Sequence, residues 1–307
     1  MLTCVPALEI RDLVVQQSGR SIVAGLDLTA EEGRVTALVG PNGAGKTTTV
    51  EACVGLRTSF SGSIEVLGVP LPASSGARTR LHEEIGVMLQ DGGLYTTARP
   101  LEMVRHIAAM HADPDDPALL LDALGIDPAT RTALRRMSGG EQRRVAAAAA
   151  LVGRPRMVFL DEPTTGLDSA GRRSFHDLVR SRVSDGVTVL LTTHLMDDVE
   201  RLADHVVVMA AGRNVVHGTI EALVGGHDSV SFRGPMHLPM EEFRTGLPPE
   251  CTVAEGPPGH YRVDGSLDPT VLAAVAAWCG RHGVPTSDVT IGRRSLDDVV
   301  TSLVGDL

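Results

Sequence analysis

Gly40-Pro41-Asn42-Gly43-Ala44-Gly45-Lys46-Thr47-Thr48 follows directly on Val35-Thr36-Ala37-Leu38-Val39. The first segment fits the phosphate-binding pattern G-x-x-x-x-G-K-[ST]. The second reads as a buried strand. A strand, a glycine-rich turn and then a helix is the context this pattern requires. Gly40, Gly43 and Gly45 let the backbone approach a phosphate and adopt positive φ. Successive N–H groups then form an anion nest at the positive end of the following helix. Lys46 would reach the β- and γ-phosphates, and the Thr47 hydroxyl would ligate Mg²⁺. Lys46 is the single lysine among 28 basic residues. A compact ammonium on a flexible stem is not interchangeable with the planar arginine fork used elsewhere in the chain.

Working outward, residues 7 to 33 alternate apolar and polar and read as short antiparallel strands. Further strands are expected at 63–66, 85–89, 157–160 and 187–192. Helices are expected from about Lys46 to Gly55, over parts of 102–134, and over 139–152 with Ser138 at its N-terminus. Pro72 to Gly76 reads as a loop. Strands alternating with helices imply an α/β fold with a parallel sheet. Met157-Val158-Phe159-Leu160 runs straight into Asp161-Glu162, and a buried parallel strand that delivers acids at its C-terminal end is where such folds place chemistry. In phosphate-loop enzymes the aspartate supports Mg²⁺, and an adjacent glutamate can polarise the attacking water. Gly139 and Gly140 at a second helix start make another phosphate-accepting terminus. One chain thus carries two such helix ends but one lysine-bearing loop, so the second end is expected to complete a site on another subunit.

The 307 residues allow one large domain and a smaller one. The phosphate-binding architecture is expected to stop near Gly225-Gly226. Residues 226–307 then read as a small α/β extension, with strands at 228–233, 260–263 and 288–291 and helices at 270–282 and 295–304. Aromatics make up 3%, which predicts a core of Leu, Val and Ala. A net charge of -10 argues against nucleic-acid binding. No apolar run is long enough to span a bilayer, and the first residues lack the pattern of a secretory signal. Cys4, Cys53, Cys251 and Cys279 form no C-x-x-C pair and read as reduced thiols.

Taken together, the motifs over residues 7 to 225 resemble the ATP-binding-cassette (ABC) family. Met137-Ser138-Gly139-Gly140-Glu141-Gln142 looks like the family signature, with Met where Leu is usual. Gln90 looks like the glutamine loop, Gly166-Leu167-Asp168 like the D-loop and His194 like the switch histidine. The resemblance implies a P-loop NTPase core with a RecA-like parallel sheet, an antiparallel β subdomain and a helical subdomain at about 91–150. It implies ATP and Mg²⁺ as ligands, with Thr47, Gln90 and Asp161 around the metal. It implies a homodimer holding two ATP molecules head to tail, with Ser138 and Gly140 acting in trans and Asp168 linking the sites. Glu162 would be the general base, with Lys46, Gln90 and His194 assisting.

Gly86-Val87-Met88-Leu89-Gln90, Leu191-Thr192-Thr193-His194 and Ser295-Leu296-Asp297-Asp298-Val299-Val300 look like ATPase subunits of drug or antibiotic exporters. That implies a separate integral-membrane permease as partner and a place on the cytoplasmic face of the cell membrane. The importer reading and a soluble regulatory ATPase without a permease stay open. A GTPase would need a second lysine in an N-K-x-D loop. Chromosome-handling relatives would need far more than the 115 residues between Lys46 and Asp161. The family usually stacks an upstream aromatic on adenine. Here the corresponding stretch is Val14-Val15-Gln16-Gln17-Ser18, so Val23 or a glutamine is expected to cover the ring.

Overall fold

The computed structural model describes residues 6–90, 93–224, 228–249, 251–255, 258–265, 269–285, 289–293 and 296–305. The chain divides into two compact units, Met1–Thr219 and Ile220–Asp306.

In the first unit, β1 (Pro6–Gln17) and β2 (Arg20–Glu31) form one long hairpin. β3 (Val35–Val39) leads into α1 (Lys46–Cys53). β4 (Ser61–Val66), β5 (Val69–Leu71), α2 (Ser75–Glu84) and β6 (Ile85–Met88) follow. Next come α3 (Pro100–Ala108), α4 (Pro117–Ala123), a 3₁₀ turn at Leu134–Arg136 and α5 (Gly139–Leu151). β7 (Met157–Asp161), α6 (Ser169–Ser184), β8 (Thr188–Thr193), α7 (Met196–Leu202), β9 (His205–Ala210) and β10 (Arg213–Gly218) complete it.

The central sheet runs β10-β9-β3-β8-β7-β6, parallel from β9 to β6, with β10 antiparallel at the edge. A second sheet, β2-β1-β4-β5, is antiparallel. β3, β7 and β8 are buried along their whole length, and that is why they read as apolar runs and not as alternating strands. Side chains alternate across the central sheet. Met157, Phe159 and Leu190 join the core beneath the antiparallel sheet and α1. Val158, Leu160, Val189 and Leu191 join the core under α3 to α6. Burial on both faces holds the strand ends in fixed register, and those ends carry the chemistry.

One reading changes. The loop expected at Pro72 to Gly76 ends in α2, which begins at Ser75. α2 buries only Leu81, so it has no apolar stripe to announce it. The helical pattern expected over parts of 102–134 is α3, α4 and the 3₁₀ turn, with breaks around Pro114, Pro117 and Pro128.

The second unit opens with α8 (Ile220–Val224), then β11 (Asp228–Arg233), α9 (Met240–Thr245), β12 (Thr252–Glu255) and β13 (His260–Gly265). α10 (Pro269–Arg281), β14 (Thr290–Arg293) and α11 (Leu296–Gly305) end it. Its sheet is antiparallel, in the order β12-β13-β11-β14. Its core is richer in aromatics than those of the first unit, whose buried clusters include Phe175 and Phe159. Phe232, Phe243, Tyr261 and Trp278 are all buried, and Phe243 stacks on Trp278 at 4.2 Å between centroids. α9 and β12 fall between the strands expected at 228–233 and 260–263, an interval for which the sequence predicts no element. The proposed boundary at Gly225-Gly226 and the Ser295 start of the tail motif lie outside the described residues.

Candidate active site

Four neighbouring parallel strands, β3, β8, β7 and β6, end on the same edge of the sheet. The phosphate loop leaves β3, His194 follows β8, Asp161 and Glu162 close β7, and Gln90 lies two residues beyond β6. A doubly wound sheet converges its loops at this edge.

Gly43 and Gly45 adopt φ of 82° and 106°, which the missing Cβ permits. A Cβ on Gly40 would meet the Met209 carbonyl oxygen at 2.1 Å, and one on Gly45 would meet the Ile22 carbonyl oxygen at 2.8 Å. The loop is therefore pressed between β9 and β2, where only glycine fits. The Lys46 ammonium is buried and donates to the carbonyl oxygens of Gly40 (2.7 Å) and Pro41 (3.2 Å). It lies 3.6 Å from a Glu162 carboxylate oxygen. Such a charge is held in the interior only when paired and hydrogen-bonded.

Glu162 is buried and has φ of 51°. A bulky side chain in the left-handed region costs conformational energy, and such strain collects at functional sites. Its backbone N–H donates to the Thr192 carbonyl oxygen at 3.1 Å and to the Thr192 hydroxyl at 3.1 Å. Its Oε2 lies 2.8 Å from His194 Nδ1 and accepts from the Thr165 hydroxyl at 2.9 Å. The strand end, the loop after it and the turn after β8 thus fix one carboxylate.

Asp161 is fully buried. One of its oxygens accepts from the Thr192 hydroxyl, and the other has no hydrogen-bond partner among the described residues. Burial of an unpaired carboxylate oxygen is costly. The Thr47 hydroxyl meets the Gln90 amide oxygen at 3.4 Å. These donors are all oxygens, the set that suits a hard cation such as Mg²⁺, and a cation held there would give the unpaired Asp161 oxygen its missing partner. The residues fit the metal.

The remaining expected residues form a separate cluster. Ser138 caps α5 in a reciprocal box. Its backbone N–H donates to Glu141 at 2.8 Å, while the Glu141 N–H donates to the Ser138 hydroxyl at 3.2 Å. The Ser138 backbone donor, then its hydroxyl, holds the Glu141 carboxyl below its usual pKa. Gln142 donates to the Met137 carbonyl oxygen at 3.0 Å. Asp168 caps α6 by accepting from the Gly171 N–H at 2.7 Å. A Cβ on Gly140 would lie 3.0 Å from the Gly166 carbonyl oxygen, so the signature and the D-loop touch. Among the described residues, no hydrogen bond joins Ser138–Gln142 to Gly40–Thr48. Ser138 and Gly139 are exposed.

Val23 is fully buried, with its Cγ2 toward the Cβ position of Gly45. It packs beneath the loop and is not free to cover a base. Gln16 and Gln17 are exposed. Sequence reasoning missed the roles of Thr165 and Thr192, whose hydroxyls orient Glu162 and Asp161. Their one available signal is the pair of threonine doublets, Thr164-Thr165 and Thr192-Thr193, beside the acids.

The family model described as ABC transporter matches residues 23–165. The chain is 33% identical to the daunorubicin/doxorubicin resistance ATP-binding protein DrrA of Streptomyces peucetius, over 97% of this chain and 92% of that protein. It is 34% identical to the Nod factor export ATP-binding protein I of Sinorhizobium fredii (strain NBRC 101917 / NGR234), over 82% of this chain and 71% of that protein. Among solved structures, cbiO1 from Clostridium perfringens, part of the ABC transporter complex cbiONQ, matches with a TM-score of 0.60 and 29% identity. That match covers 71% of this chain and 90% of that one. A dimeric post-hydrolysis cassette bound to ADP and Pi shares the fold, with a TM-score of 0.63 at 20% identity over 69% and 98% of the two chains. With relatives matched along most of both chains, this protein belongs to the ATP-binding-cassette transporter ATPases, as an ATP-binding subunit.

Proposed function

We propose that this chain powers an exporter, with Glu162 as the general base of ATP hydrolysis. The observation that carries the reading is the Glu162 carboxylate itself. It is buried, held by a strained backbone, 2.8 Å from His194 Nδ1 and 3.6 Å from the Lys46 ammonium. Two copies would enclose two ATP molecules head to tail. The amides of Gly40–Thr48 and the Lys46 ammonium would hold the phosphates of one. Ser138 and Gly140 of the second copy would meet the γ-phosphate, which agrees with the exposure of Ser138 and with the absence, among the described residues, of a hydrogen bond from this segment to the loop of its own chain. Thr47, Gln90 and Asp161 would hold Mg²⁺, which when bound neutralises phosphate charge. Water would attack the γ-phosphorus as its proton passes to Glu162. The bond to the β-phosphate would break and ADP would leave. His194 would keep water and phosphate in line, and Asp168 would connect the paired sites. ATP would act as a ligand of the closed pair, and its hydrolysis would reopen it.

Export is supported by relatives named for drug resistance and Nod factor export, the first aligned over nearly the whole chain. A membrane permease as partner is supported by a cleft of about 290 Å³ beside Gln90, lined by Met88, Leu89, Leu94, Leu134 and Gln142 among others. Closure sensed at Gln90 could pass to a segment seated there. Among the described residues no helix is long and apolar enough to cross a membrane, so the translocation path would belong to that partner. The site of action would be the cytoplasmic face of the cell membrane. Residues 226–307 would serve as an accessory domain.

Glu162→Gln tests the base. Turnover is expected to fall by about 100-fold or more, in the range set by losing a general base. The variant should still bind ATP and accumulate as an ATP-bound dimer in gel filtration. Near-normal hydrolysis would remove Glu162 from this role.

A further inference from the structure

Behind the site lies a second buried polar cluster that the mechanism does not use. Asp198, on α7, is fully buried. It accepts from the Thr164 hydroxyl, and its other oxygen lies 2.9 Å from His176 Nε2 on α6. The Arg172 guanidinium, also on α6, stands 3.8 Å away. Thr164 and His176 are buried as well. Although burial pushes the Asp198 carboxyl up, the His176 and Thr164 hydrogen bonds outweigh it and hold the group below its ordinary range. A buried carboxylate saturated in this way is a rigid anchor, because every partner lost exposes an uncompensated charge.

Each of the three segments that meet on Asp198 carries a residue of the site. Thr164 lies between Glu162 and the Thr165 that donates to it. α6, which supplies His176 and Arg172, is capped by Asp168. α7 begins two residues after His194, and its first turn supplies Asp198. We propose that Asp198 is a positioning residue for ATP hydrolysis, fixing the Glu162 loop, the Asp168 cap and the His194 turn relative to one another. It touches no substrate and acts through Thr164. The inference rests on Glu162 being the base.

The test uses the full-length protein and compares Thr164→Val, Thr164→Ser, Asp198→Ala and the Thr164→Val/Asp198→Ala double variant. Thr164→Val keeps the side-chain volume and removes the donor, whereas Thr164→Ser retains it. Thr164→Val should lower kcat about 10- to 100-fold with little change in KM for ATP, the signature of misplaced catalytic groups. Thr164→Ser should restore kcat. The double variant should be no slower than Asp198→Ala alone, because the two residues act as one unit. If Asp198→Ala does not fold, the Thr164 pair decides alone. A folded Thr164→Val enzyme with unchanged kcat, whatever its melting temperature, would overturn the proposal. Glu162→Gln is measured in parallel. If it stays active, the assignment of the base has failed; if it is inactive while Thr164→Val is normal, only the positioning role has failed.

Discussion

Lys46 and Glu162 show how single residues are poised. Each is buried, and each carries a charge that water would otherwise solvate. Their 3.6 Å separation and the carbonyl oxygens around Lys46 replace that solvation. The energetic cost is met by the packed sheet beneath, and the result is a preorganised pair at the place where phosphate charge develops. The base-binding side is built differently. Gln16 and Gln17 are exposed, Val23 is buried under the loop, and residues 1–45 contain no aromatic. Aromatic stacking is worth roughly 1–3 kcal/mol per base in nucleic-acid complexes. ATP is therefore expected to bind weakly and with little preference over GTP, within about tenfold, a ratio worth 1.4 kcal/mol. Competitive titration with a fluorescent nucleotide reads both affinities. Tight ATP binding with strong discrimination would mean that another group holds the base.

At the scale of elements, strand ends and helix starts carry the site. β3, β7 and β8 are legible because burial on both faces turns them into apolar runs that stop at Gly40, Asp161 and His194. The phosphate loop is legible because its chemistry is contiguous. α2 is not, since it buries only Leu81. The Asp198 cluster is not either, because Thr164, His176 and Asp198 meet only after three elements pack, and no local pattern marks the pairing. α5 gives an independent test. Ser138→Ala removes the acceptor for the Glu141 N–H. It should destabilise the fold by about 1 kcal/mol, as loss of an N-cap does, measured by urea denaturation. It should also slow ATPase turnover, because Ser138 would contact the second copy's nucleotide. Loss of stability with full turnover would leave Ser138 a cap and nothing more.

At the scale of the whole molecule, two units with different cores share one chain. The first is built on Leu, Val and Ala around the nucleotide edge, and the second on four clustered aromatics. The drug-resistance relative aligns over 97% of the chain, so the second unit is part of that likeness. Truncation after Thr219, where the second unit begins, is expected to leave ATP binding intact and to weaken dimerisation in analytical ultracentrifugation. A lost response to a small ligand, with dimerisation unchanged, would instead make the extension regulatory.

An ATPase that powers export must work on a membrane partner. Affinity purification of the full chain from mildly solubilised native membranes tests it most directly. A multi-spanning permease should be recovered in stoichiometric amount. Recovery from the soluble fraction alone, with no membrane partner, would contradict it.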